Sequence, residues 1–115
     1  MPYILIHNPS CGSSKKGLEL LRENGIEPDI RKYMTKTEQL SVDELKDVAA
    51  KMGVDSPREF WREKDAAAAG LDETSSDADI YAAMAENPKI IQRPIGINGD
   101  KAALGRPNAK LLEIV

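Results

Sequence analysis

Tyr3-Ile4-Leu5-Ile6-His7-Asn8-Pro9-Ser10-Cys11-Gly12-Ser13-Ser14-Lys15-Lys16 joins an apolar run of β-formers to the start of an amphipathic run through a short polar loop. Tyr3–His7 reads as a buried strand that Asn8-Pro9 ends. Leu18, Leu20 and Leu21, set among Lys15, Lys16, Glu19, Arg22 and Glu23, then give helical periodicity as far as Asn24-Gly25, a C-terminal stop. Pro28-Asp29-Ile30-Arg31-Lys32-Tyr33 alternates weakly and reads as a second strand. Strand, helix and strand within roughly thirty residues make a βαβ unit, which predicts a right-handed crossover and parallel strands.

The loop inside that unit carries Cys11, the only cysteine in the chain. A thiol at a helix start faces unpaired backbone N–H groups and the positive end of the helix dipole, and both favour the thiolate. Because the thiolate is the nucleophile, lowering the pKa from its usual ~8.5 makes the group reactive near neutral pH. A free cysteine is often just a small buried hydrophobe. Here Ser10, Gly12, Ser13 and Ser14 surround it, residues that do not line an apolar core, and the pattern predicts a functional thiol.

Beyond residue 40 the chain changes in kind. Ser41-Val42-Asp43-Glu44 is a capping box, and Leu45, Val48, Ala49 and Met52 share one face up to Gly53, so a helix is predicted from about 42 to 52. Ser56-Pro57 opens a further helix with proline at its first position, carrying Phe60 and Trp61, the only Phe and Trp. Ala66–Ala69 and Ser76–Asn87 continue the theme, the second burying Ile80, Ala83 and Met84. Residues 41–87 therefore read as a helical insertion. Strands return with Ile90-Ile91-Gln92 leading into Arg93-Pro94-Ile95-Gly96-Ile97, a hairpin turn at Asn98-Gly99-Asp100, and Lys101–Gly105. Arg106-Pro107 then leads into a C-terminal helix over 109–115. This order, βαβ, helical insertion, ββα, is the thioredoxin topology with an insertion: an α/β fold on a mixed four-stranded sheet, one domain over 1–115.

Composition bounds the function. Apolar residues at 41% and charged residues at 30% place the chain among ordinary soluble globular proteins. A net charge of −3 argues against nucleic-acid binding as the main activity. Tyr3–Ile6 is too short to span a membrane and lacks the basic leader and cleavage site of a signal peptide. One cysteine makes no internal disulfide, so a reducing, cytoplasmic setting is expected, for a monomer with no bound metal or cofactor.

Four motifs, in order along the whole chain, carry a resemblance. His7-Asn8-Pro9-x-Cys11-Gly12-x-Ser14, Arg62 within Phe60-Trp61-Arg62-Glu63-Lys64, Arg93-Pro94-Ile95 and Gly105-Arg106-Pro107 together resemble the glutaredoxin-linked arsenate reductases, the ArsC family. The resemblance implies that Cys11 attacks arsenate, that glutathione as co-substrate attacks the adduct, and that arsenite leaves while glutaredoxin clears the mixed disulfide. It further implies that Arg62, Arg93 and Arg106 bind the oxyanion, that Gly12, Ser13 and Ser14 offer donors around the thiolate, and that Pro94 is a cis-proline beside the cysteine. Lys15 and Lys16 depart from the family pattern.

Residue chemistry agrees with that implication. An oxyanion approaching a thiolate needs compensating cations and N–H donors. Arginine stays protonated and its fork holds two oxygens at once, although each arginine taken alone fits a surface ion pair equally well. Ser14 stands where a Cys-x-x-Cys motif has its second cysteine, so the chain can form a mixed disulfide but not an internal one, and glutathione would supply the resolving thiol. His7, the only histidine, lowers the thiol pKa if it is a cation; equally, it fits a strand-end histidine bonded to backbone. Two relatives of other classes are weighed against this reading. A Spx-like regulator binding RNA polymerase usually carries Cys-x-x-Cys, which Cys11-Gly12-Ser13-Ser14 is not. A glutathione-dependent thiol oxidoreductase of YffB type has less use for three arginines than an oxyanion enzyme has.

Overall fold

A computed structural model, describing residues 2–115, builds the βαβ unit as β1 (Tyr3–Ile6), α1 (Gly12–Glu23) and β2 (Asp29–Arg31). The two strands are parallel, with Ile4 opposite Asp29 and Ile6 opposite Arg31. The chain continues through α2 (Val42–Met52), α3 (Glu63–Ala68), α4 (Asp77–Glu86), β3 (Ile95–Asn98) and β4 (Lys101–Leu104). Sheet order is β2-β1-β3-β4, with β3 antiparallel to both β1 and β4. Since β1 lies inside the sheet it is covered on both faces, which is why its sequence is a continuous apolar run.

The alternation of β1 divides the core. Tyr3 and Leu5 point to a small cluster with Leu21 of α1 and Leu111 of the C-terminal segment. Ile6 points to the opposite face, where a large cluster is filled from the helical insertion by Leu45, Val48, Phe60, Ile80 and Met84. α2 holds the bounds its capping box predicts: Ser41 Oγ accepts from Glu44 N at 3.1 Å, Glu44 Oε1 accepts from Ser41 N at 3.1 Å, and Gly53 ends the helix at φ 74°.

Two predicted helices take other forms. After Pro57 only a 3-10 turn, Pro57–Phe60, is made. Trp61 is drawn instead into an antiparallel bridge with Ile91, with Gln92 N donating to Phe60 O at 2.8 Å and Arg62 N to Ile90 O at 2.5 Å. The C-terminal element, Asn108–Ile114, is a 3-10 helix rather than an α-helix. Its carbonyls are claimed from outside: Tyr3 Oη donates to Leu111 O at 2.7 Å and Asn98 Nδ2 to Ile114 O at 2.8 Å. Among the described residues no helix is long and apolar enough to cross a membrane.

Candidate active site

The C-terminal ends of the parallel strands converge on one backbone oxygen. Arg31 O accepts from His7 N and from Tyr33 N, each at 3.0 Å, so the Cys11 loop and the chain leaving β2 start side by side. Asn8 sets the loop: its Oδ1 accepts from Ser10 N at 3.0 Å and its carbonyl from Cys11 N at 3.0 Å. Cys11 is thereby left as the half-buried N-cap residue of α1, extended at φ −98° and ψ 124°, with no side-chain cap of its own. The first turn of the helix is free to point its N–H groups at the sulfur.

Burial pushes the Cys11 thiol pKa up, but the Ser14 N–H, the Arg93 guanidinium and the Ser13 N–H all pull it down and prevail. The thiol ionises more readily than an ordinary cysteine. Gly12 is exposed and open on all sides, leaving the approach to this turn unobstructed.

Ser14 is fully buried and its hydroxyl works inward. It accepts from Asn8 N at 3.0 Å and shares a 2.8 Å hydrogen bond with His7 Nδ1. His7 does not supply the positive charge that one reading of the sequence gives it. Burial lowers its pKa, and Lys32, Arg22 and Lys15 lower it further, so the ring is neutral at neutral pH and braces the loop through Ser14.

The arginines arrive by separate routes. The short bridge between residues 60–62 and 90–92 brings the helical insertion against the segment leading to Arg93, which is not the strand its sequence predicts: Pro88–Ile90 is a 3-10 turn ended by the bridge at Ile91, and β3 begins only at Ile95. Arg93 is 8% exposed, with Nη1 near the carbonyls of Lys89 and Ile91 at 3.4 and 3.5 Å. Arg106 is exposed and donates from Nε to Arg93 O at 3.0 Å, tying the Gly105-Arg106-Pro107 loop to the neighbouring one. Arg62 pairs with Asp65 at 3.3 Å. Thus Arg93 meets the thiol, Arg106 meets the backbone of Arg93, and Arg62 is held at the edge by its own carboxylate. The peptide bonds before Pro94 and Pro107 are both cis.

The model of the ArsC family matches residues 6–114. The chain belongs to the ArsC family. It is 42% identical over 118 residues to an arsenate reductase of Haemophilus influenzae, spanning 100% of both chains. It is also 42% identical over 111 residues to an arsenate reductase of Neisseria meningitidis, covering 93% of each. The solved structure of an arsenate reductase from Vibrio cholerae matches with a TM-score of 0.87 at 37% identity, over 100% of this chain and 98% of that one. The fold is the thioredoxin-like α/β fold of this family.

Two residues of this ArsC-family site escape the sequence motifs. Asn108 Nδ2 donates to Ser13 O at 3.1 Å and to Gly105 O at 2.9 Å, pinning the first turn of α1 to the Arg106 loop. Tyr33 is fully buried beside Arg93, two residues beyond β2. In the sequence it ends a weakly alternating strand, as a core aromatic would; only its position at the strand's C-terminal end was a signal.

Proposed function

We propose that this protein reduces arsenate to arsenite, with Cys11 as nucleophile and glutathione and glutaredoxin completing the cycle. The observation that carries the reading is the Arg93 guanidinium beside a thiol already favoured as the anion by the Ser13 and Ser14 N–H groups. The full-length relatives named arsenate reductases support the choice of oxyanion.

The Cys11 thiolate attacks As(V), forming an S–As bond as an arsenate oxygen leaves as water. Arg93, with Arg106 and Arg62 around it, balances the charge of anion on anion. A glutathione thiol then attacks the adduct; two thiols surrender two electrons, As(V) leaves as As(III) arsenite, and the sulfurs remain as a Cys11–glutathione disulfide. Glutaredoxin, with further glutathione, reduces that disulfide and frees Cys11. Ser14, buried against His7, offers no second thiol, so resolution is intermolecular.

Turnover coupled to NADPH consumption through glutathione reductase, with glutathione and glutaredoxin present, should depend on arsenate and vanish in Cys11→Ser. Mass spectrometry of protein trapped without glutaredoxin should find one glutathione on the Cys11 peptide. Turnover sustained by thioredoxin in the absence of glutathione would move the protein to another mechanism.

A further inference from the structure

Among the described residues, two buried side-chain polar atoms have no hydrogen-bond partner: Tyr33 Oη and Arg93 Nε. Both are at the candidate site. Arg93 acts on the ionisation of Cys11 and on that of Tyr33, and the Cys11 and Arg62 charges also reach Tyr33. The backbone places them together as well, since Tyr33 N and His7 N share Arg31 O and the Cys11 loop begins at His7.

Such orphans are rare in native proteins, and leaving a buried donor unpaired costs about 1–3 kcal/mol. Two at one place need one explanation. Arg93 Nε can only donate; the guanidinium lies near enough to act on the Tyr33 hydroxyl, yet neither Nε nor Oη has a hydrogen-bond partner in the free protein. What satisfies an O–H and an N–H side by side is an acceptor group with more than one oxygen, carried next to the Cys11 sulfur.

We infer that Tyr33 is a substrate-binding residue whose hydroxyl donates to an oxygen of the tetrahedral oxyanion at Cys11, beside the Arg93 guanidinium. This rests on the oxyanion reading given above. Burial pushes the Tyr33 pKa up to about 12, outweighing the pull of Arg93, so the hydroxyl keeps its proton wherever the enzyme works. Tyr33 therefore discriminates: it serves an anion that presents a free acceptor oxygen and gives nothing to a neutral disulfide at the same sulfur.

Tyr33→Phe removes the hydroxyl and keeps the ring. The measurement is the arsenate, or separately sulfate, concentration that half-protects Cys11 from iodoacetamide, with thermal unfolding alongside. A lost hydrogen bond to a charged acceptor should raise the half-protecting concentration roughly tenfold or more. The unfolding temperature should hold or rise, because the hydroxyl has no partner in the free protein. In turnover, KM for arsenate should rise while the rate of glutathionylation of Cys11 by oxidised glutathione, which presents no oxyanion at the sulfur, stays at the wild-type value. Unchanged half-protection in Tyr33→Phe, or wild-type protein that neither anion protects, overturns the assignment. Wild-type protein that arsenate protects but that does not reduce it leaves the Tyr33 assignment standing and removes the reductase reading instead.

Discussion

At the scale of single residues the site is a contest over one proton. Burial favours the Cys11 thiol; the Ser14 N–H, Arg93 and the Ser13 N–H favour the thiolate and win. His7 takes no part as a charge, because burial disfavours its cationic form and the nearby Lys32, Arg22 and Lys15 disfavour it further. Thiolate absorbance near 240 nm should therefore titrate with a midpoint below the ordinary cysteine value of ~8.5. The Arg93→Met variant should titrate higher than wild type, and Arg93→Lys between the two, since lysine keeps the charge but not the fork. A wild-type midpoint at or above the ordinary value would mean that burial had won.

Between elements, the site depends on how closely α1 meets the loop before β3. A Cβ built on Gly17 would lie 2.8 Å from Pro94 Cγ and 3.0 Å from Leu111 Cδ1, and one on Gly105 would lie 2.9 Å from the same proline carbon. The proline ring is thus packed between two glycines, which holds Arg93 against the first turn of the helix carrying Cys11. Alanine in mid-helix is normally worth about 1 kcal/mol over glycine, but forcing a methyl into a filled space costs about 1–3 kcal/mol. Gly17→Ala should lower the thermal midpoint by a few degrees and slow arsenate reduction, whereas Gly12→Ala, with nothing within 4 Å, should leave the midpoint unchanged. A midpoint raised by Gly17→Ala would show that helix propensity decides. What can be read from sequence follows the same division. The Tyr3–Ile6 strand, the Ser41–Glu44 capping box and the Cys11 loop are determined by neighbours in the chain, and they were legible. Trp61 leaving its helix to pair with Ile91, Leu111 O turning to Tyr3, and Asn108 reaching Ser13 are contacts between distant segments, which no local pattern encodes. Arg93 stands in a recognisable motif, whereas Tyr33 has the sequence context of any core aromatic and only its unpartnered hydroxyl sets it apart.

Across the whole molecule, the two ends of the chain are joined through the smaller core. Tyr3 packs over Gly96 of β3, where no Cβ would fit, and its hydroxyl donates to Leu111 O at 2.7 Å, so the first strand holds down the last helix. That bond exists only while the phenol keeps its proton. Burial pushes the Tyr3 pKa up to about 12, whereas in the unfolded chain tyrosine ionises near 10. A native pKa above the unfolded one means that the folded state binds more protons across that interval. The stabilisation is whole below pH ~10 and is lost as pH rises towards 12, by roughly 2–3 kcal/mol if the interval is fully traversed. Urea unfolding of wild type and Tyr3→Phe between pH 8 and 11.5 isolates this residue, because lysine and the other tyrosines titrate alike in both proteins. At pH 8 the wild type should be more stable by about 1 kcal/mol, the worth of the hydrogen bond, and because the linked loss is larger than that, the gap should close before about pH 11 and reverse by pH 11.5. A gap that stays constant to pH 11.5 would show that the Tyr3 proton does not hold the C-terminal segment in place.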